Sequence, residues 1–393
     1  MTATAIGDLN PSPRILLGPG PSNVHPRVLR AMATPLVGHL DPEFIEIMNE
    51  TKALLQYVFQ TQNPLTIPIS GTGSAGMEAA LYNLIEENDE VVVAVSGFFG
   101  ERMCDMVHRC RGKLTKLEVP WGQVFAPEQI EESLKQKVKL LAIVHAETST
   151  GALQPVEEIA KLCHRYDALL VLDTVTSLGG VPVEVDGWDI DACYSGTQKC
   201  LSCPPGLAPI TLGPRAVEAL RSRQTKVQSL YLDLTMIEKY WGQERTYHHT
   251  APISMNYALR EALRLVQEEG LEARFARHRL NHRALVAGIQ AMGLEMFVPE
   301  SHRLPTLNTV KVPPGVDEAK IRGILLHEFN IEIAGGLGPL KGVIWRIGLM
   351  GHSSRKENVL LILAALEHAL ATQGYAVPRG AGVEAAGKVY LQG

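Results

Sequence analysis

Lys199 follows the apolar run DACYSG (191–196) and precedes CLSCPPGLAPITL, so its neighbourhood is almost free of other charges. Most lysines are solvated surface groups. One held among apolar neighbours is disfavoured as an ammonium, and the resulting amine can condense with an aldehyde. Asp173 poses a related question. It ends the apolar run ALLVLD (168–173), where a carboxylate is costly to bury without a partner. A helix cap or a structural ion pair would supply one; so would the cationic ring nitrogen of a cofactor.

Gly71-Thr72-Gly73-Ser74 lies between the run LTIPI (65–69) and a helical pattern carrying Met77, Leu81, Leu84 and Ile85 on one face. Glycines there let the backbone approach a phosphate, and the helix start offers amide donors and a positive dipole end. GTGSAG also satisfies G-x-G-x-x-G. A dinucleotide site, however, wants an acidic residue at the end of the next strand. That run, EVVVAV (90–95), ends at Val95-Ser96-Gly97, with Glu90 at the opposite end. Phe98 and Phe99 follow it, and His145, Glu147 and Thr148 follow LLAIV (140–144). A phosphate cup, a ring-stacking aromatic, a carboxylate for a ring nitrogen and a Schiff-base lysine are together what pyridoxal phosphate (PLP) requires.

These residues need elements to bring them together. The uninterrupted apolar runs read as strands covered on both faces, hence as a mostly parallel sheet. LLAIV, a helix presenting Val156, Ile159, Ala160 and Cys163, and ALLVLD have the spacing of one βαβ crossover. Ligands in such sheets bind beyond the carboxyl ends of the strands, where the polar residues named above all fall. The first forty residues read as an extended arm centred on GPGPSN (18–23). Residues 257–293 read as a connecting helix or helix pair. TLNTVKV (306–312), VIWRIGL (343–349) and an amphipathic helix with Val359, Ile362, Leu363, Leu366 and Leu370 predict a smaller second α/β unit. The expected division is an arm over 1–25, a large cofactor-binding domain over 26–270 and a small domain over 271–393.

The 393 residues suffice for two cores, and 46% hydrophobic with 20% charged residues is ordinary for a globular chain. A net charge of −5 without a basic stripe argues against nucleic acid and anionic membrane as partners. Six cysteines, all between residues 104 and 203 in apolar or mixed segments, suit a reducing compartment; Cys200 and Cys203 lack the further ligands of a zinc site, so no metal is expected. With no signal-peptide pattern or membrane-length apolar run, the expected location is the cytoplasm.

LLGPGPSNVHP, VGHLDPEF, SGTGSAGMEAAL, HAETSTG, LDTVTSLGG, YSGTQKCLSCPPG, YHHTAP and RIGLMG span nearly the whole chain. With them it resembles the class V aminotransferases of PLP fold type I, closely the alanine–glyoxylate/serine–pyruvate group. The resemblance implies a large domain with a mostly parallel seven-stranded sheet and a homodimer with shared active sites. It implies that Lys199 carries the cofactor as a Schiff base and Asp173 pairs with its ring nitrogen. Val175 and Phe99 would enclose the ring, with Thr148 at its 3-hydroxyl. Thr72, Gly73, Ser74 and Gln198 would hold the phosphate, joined by Tyr247 and Thr250 of the second subunit. Arg346 would take the substrate carboxylate, with Ser22 and Asn23 of the arm beside it. Two residues depart from animal members, which typically have Trp at Phe99 and His at Ser74.

The implied reaction is a ping-pong transfer of an amino group from alanine or serine to glyoxylate, giving glycine and pyruvate or hydroxypyruvate. A cysteine desulfurase is disfavoured because no cysteine follows Cys203. A PLP-dependent lyase or decarboxylase would use the same cofactor residues and stays open at this point. A nicotinamide oxidoreductase and a non-catalytic binding protein are the readings from other classes.

Overall fold

The computed structural model describes residues 6–392; the first five residues of the expected arm lie outside them. Seven strands form the main sheet: β1 (Leu65–Ser70), β2 (Glu90–Val95), β3 (Lys113–Glu118), β4 (Leu140–Val144), β5 (Leu169–Asp173), β6 (Ala192–Tyr194) and β7 (Leu207–Leu212). Their order is β1-β7-β6-β5-β4-β2-β3. Only β7 runs against its neighbours, so the carboxyl ends of the other six share one edge.

The register at that edge matters for the chemistry. Val144, Asp173 and Tyr194 are consecutive partners across β4, β5 and β6. They therefore form one row, and Asp173 meets its neighbours at the last rung of the ladder. Strands β1, β4, β5 and β7 are buried almost throughout, as continuous apolar runs predict. The edge strand β3, KLTKLE, is mostly exposed, with only Leu114 and Leu117 partly buried, one against each of the two cores flanking the sheet; so polar an edge is easily taken for loop in sequence. LAPITL in β7 also escaped as a strand, its apolar run being read only as uncharged surroundings for Lys199.

The N-terminal region is less extended than the sequence suggests. Ile15–Leu16 pairs with Ile331–Glu332, but α1 (Pro26–Met32) interrupts the first forty residues, and α2 (Pro42–Phe59) follows directly after them. Proline at the first turn is compatible with both helices, and His25 and Asp41 cap them through side chains. Next come α3 (Gly73–Leu84), α4 (Phe98–Arg109) and α5 (Glu157–Arg165), which connect successive strands.

Residues 257–293 are a helix pair, α6 (Ile253–Glu269) and α7 (Leu271–Ala291), broken at Gly270. Beyond it, β8 (Leu307–Lys311), β9 (Ala334–Gly335) and β10 (Ile344–Gly348) form an antiparallel sheet in the order β8-β10-β9. Helices α8 (Lys356–Thr372) and α9 (Ala381–Gln392) complete this part, α9 packing on α7. Its core contains Trp345, Ile347, Val359, Ile362 and Leu366, and Leu17 from the arm joins it.

Trp345 is wholly buried next to Arg346 in sequence, and its indole N–H donates to the Glu318 carbonyl at 3.2 Å. Trp345→Ala is expected to destabilise the fold by about 3–5 kcal/mol, measured by denaturant unfolding.

Candidate active site

Lys199 projects from the segment after β6 and is 8% exposed. Its ammonium donates to the Pro19 carbonyl of the arm. Gly20 lies directly against the lysine stem: a Cβ there would stand 2.5 Å from Lys199 Cδ, and its φ of +103° already favours glycine. Burial, then the Arg346 charge, lowers the Lys199 pKa to about 8. Because the folded-state value is lowered, the neutral amine is accessible just above neutral pH.

Asp173 is 3% exposed at the end of β5. Val175 N–H donates to Oδ1 and Tyr194 OH to Oδ2, each at 2.8 Å. Burial outweighs these bonds and raises the Asp173 pKa to about 6. Each carboxylate oxygen has capacity for another donor, so a cationic N–H would relieve a charge that the fold alone stabilises poorly. Tyr194 was not anticipated. It is an aromatic in an apolar run, and only the β5–β6 register puts its hydroxyl on Asp173.

Glu147 organises a second group. Buried beyond β4, it accepts from Phe99 N–H at 3.1 Å through one oxygen, and from Ser149 N–H at 2.9 Å and Ser149 Oγ at 2.7 Å through the other. The carboxylate thereby holds the start of α4 and the residue that presents Phe99. Burial pushes its pKa up despite these donors. Next to it, the Thr148 carbonyl accepts from Arg346 Nη1 at 3.1 Å, while Arg346 Nε donates to Gly335 O at 2.7 Å. Two carbonyls thus fix the guanidinium in a nearly closed position, 6% exposed. Desolvation lowers its pKa to about 10, so it remains cationic at neutral pH. Arg346 Nη2 makes no hydrogen bond among the described residues.

The glycine loop meets this group from β1. A Cβ on Gly73 would stand 3.2 Å from Val175 Cγ2, and one on Gly196 would stand 2.9 Å from Gln198 Oε1. Gln198 Oε1 is buried without a hydrogen-bond partner, a polar atom whose partner lies outside the protein's own bonds. Thr72 is the N-cap residue of α3, but its side chain makes no capping bond. Ser74 accepts from Arg102 Nη1 at 3.1 Å. Phe99 packs edge-on against Phe98 with ring centroids 5.6 Å apart.

Among the remaining expected site residues, Ser22 and Asn23 use their side chains on the protein itself. Ser22 Oγ donates to Lys199 O at 2.8 Å, and Asn23 bridges Leu16 N–H and Arg14 O, each at 2.9 Å. Ser22 thus ties the arm to the Lys199 backbone, while Asn23 braces the arm internally and accepts from Ser353 Oγ at 3.2 Å. Tyr247 is 59% exposed, with its ring against His39 at 5.4 Å, and Thr250 is exposed beside it. Neither hydrogen-bonds to the cup among the described residues. Cys200 and Cys203 are buried thiols whose pKa values burial raises.

Residues 16–350 match the family described as aminotransferase class-V. The chain belongs to the class V aminotransferases. It is 45% identical to the (S)-ureidoglycine–glyoxylate transaminase of Bacillus subtilis, covering 96% of this chain and 95% of that one. It is 44% identical to the alanine–glyoxylate aminotransferase of Rattus norvegicus, covering 91% and 87%. The crystal structure of the ureidoglycine–glyoxylate aminotransferase from Bacillus subtilis superposes with a TM-score of 0.97 at 47% identity, covering 98% of this chain and 100% of that one. That of an alanine–glyoxylate aminotransferase from Nostoc sp. gives 0.92 at 50% identity, covering 93% and 98%. The fold is that of the type I transferases, and the oxidoreductase alternative is set aside. No helix among the described residues of this aminotransferase is long and apolar enough to cross a membrane.

Two titrations test the site in the cofactor-free protein. Acylation of Lys199, followed by peptide mass spectrometry across pH, should show a midpoint of about 8, and Arg346→Gln should move it upward; a wild-type midpoint at the ordinary 10.5 would contradict the burial argument. Asp173 has a raised folded-state pKa, so its charge opposes folding as pH rises through about 6. Asp173→Asn keeps the Val175 N–H bond on Oδ1, turns the second amide position into a donor to the Tyr194 oxygen, and should raise Tm by a few degrees at pH 8 and little at pH 4.

Proposed function

We propose that this chain is a PLP-dependent transaminase that moves the amino group of a small α-amino acid to glyoxylate, giving glycine. The observation that carries the reading is the grouping of a buried, readily deprotonated Lys199, a buried under-stabilised Asp173 and a fixed Arg346 at one sheet edge. Several observations favour the cofactor: the unpartnered Gln198 oxygen, the close glycine approach at Gly73 and Gly196, and the open acceptor capacity of Asp173. Lys199 and Asp173 would hold its aldehyde and ring nitrogen; Thr72, Gly73, Ser74 and Gln198 would hold its phosphate; Val175, Phe99 and Thr148 would surround the ring.

When bound, PLP supplies an aldehyde that condenses with amines and a ring that accepts the electron pair left at the donor's Cα. The protein's part is positional and acid–base. Asp173 keeps a proton on the ring nitrogen by offering its charge there. The Lys199 amine would serve as general base toward the donor's Cα proton and, once protonated, as the general acid that gives it back. Arg346 orients the donor and acceptor carboxylates through the same guanidinium edge, which suits a two-stage exchange in which both substrates are small oxo or amino acids.

Alanine and serine are the donors implied by the alanine–glyoxylate/serine–pyruvate resemblance. The Bacillus subtilis relative adds (S)-ureidoglycine as a second reading, favoured by the 0.97 superposition along nearly the whole chain. Identity does not separate them, since the Nostoc alanine enzyme is 50% identical. A homodimer is part of the proposal. Leu29, Leu36, Leu40, Leu230, Tyr231 and Tyr247 are all exposed, and exposed apolar side chains in such number suit a second copy better than water.

Steady-state rates with alanine, serine and (S)-ureidoglycine, each against glyoxylate, test the reading. Glycine should form with at least one donor, and Lys199→Ala should lower kcat by at least about 10³-fold. Release of ammonia or CO₂ without glycine would instead support a lyase or decarboxylase.

A further inference from the structure

Arg102 stands in an unusual electrostatic position. It lies in the first turns of α4, and its guanidinium donates to Ser74 Oγ in the first turn of α3. Both helix starts carry the positive end of a dipole, which disfavours a cation. No carboxylate among the described residues pairs with it; the adjacent Glu101 is bound to Lys116 at 2.7 Å. Glu147, the other acid at this end of α4, already accepts from Phe99 and Ser149. What Arg102 does contact are two aromatic faces, with its guanidinium 5.2 Å from the Phe98 centroid and 5.3 Å from that of Phe99.

A partly buried cation next to two helix N-termini, without its own anion, fits an anion supplied from outside. Ser74 provides the route. Its hydroxyl oxygen accepts from Arg102, leaving its own hydrogen to donate, and a hydroxyl polarised by a guanidinium is the stronger donor.

We propose that Arg102 is a positioning residue that supplies positive charge to the cofactor's phosphate through the Ser74 hydroxyl. The proposal rests on the PLP reading above. It adds a charged group behind the residues that would hold the phosphate.

The test measures dissociation constants of pyridoxal phosphate and of unphosphorylated pyridoxal for the cofactor-free protein, by fluorescence quenching. Arg102→Met should weaken pyridoxal phosphate about tenfold while changing pyridoxal little. Arg102→Lys should recover part of the loss. Ser74→Ala should weaken pyridoxal phosphate selectively too, and adding it to Arg102→Met should cause little further loss. Equal weakening of both ligands, unchanged binding of both, or additive losses in the double variant would overturn the proposal. If Arg102→Met does not fold, Arg102→Gln is measured in its place, with the same selective loss expected and the same outcomes overturning the proposal. Failure of the wild-type protein to bind pyridoxal phosphate would overturn the cofactor reading itself, a result distinct from any outcome for Arg102.

Discussion

Burying an amine and a carboxylate near one another without letting them satisfy each other is the constraint on which this molecule depends. Lys199 is held by the arm's Pro19 carbonyl, and Asp173 by Val175 and Tyr194. Each is desolvated, and each has its pKa displaced toward neutrality, one downward and one upward. A direct ion pair would have stabilised the charged forms and made both groups inert. Separate partners keep the amine reactive and the carboxylate in need of a cation, an arrangement whose cost must be met by packing elsewhere.

The parallel sheet supplies the rigid edge. Six strands end on the same side, and the β4–β5–β6 register sets Val144, Asp173 and Tyr194 in one row. Loops leaving that edge then carry the remaining groups. Glu147 fixes the start of α4, and Thr148 O fixes Arg346 from the smaller antiparallel sheet. The arm closes the arrangement from above Lys199, tied down by Ser22 on Lys199 O and by Asn23 on Ser353.

Much of this was legible in the amino-acid order. Lys199 and Asp173 were conspicuous because a charge in an apolar run needs a reason, and the uninterrupted runs identified four of the buried strands with nearly their observed ends. What escaped depended on three-dimensional register or on weak local patterns. Tyr194 looks like core until β6 is paired with β5. The edge strand KLTKLE is mostly solvated, and α1 and α2 begin in a proline-rich region where their caps are single side chains. Ser22 and Asn23 were placed near the substrate by resemblance, whereas their hydrogen bonds go to the chain itself. Arg102 resembles any helix-surface arginine until Ser74 and the two phenylalanine rings are brought around it.

The central claim is that Lys199, and no other lysine, carries the cofactor aldehyde. Borohydride reduction of the protein reconstituted with pyridoxal phosphate, followed by peptide mass spectrometry, tests it most directly. The account predicts a phosphopyridoxyl group fixed on the peptide containing Lys199, in stoichiometric yield. Labelling of a different lysine, or an unmodified Lys199 peptide at saturating pyridoxal phosphate, would contradict it.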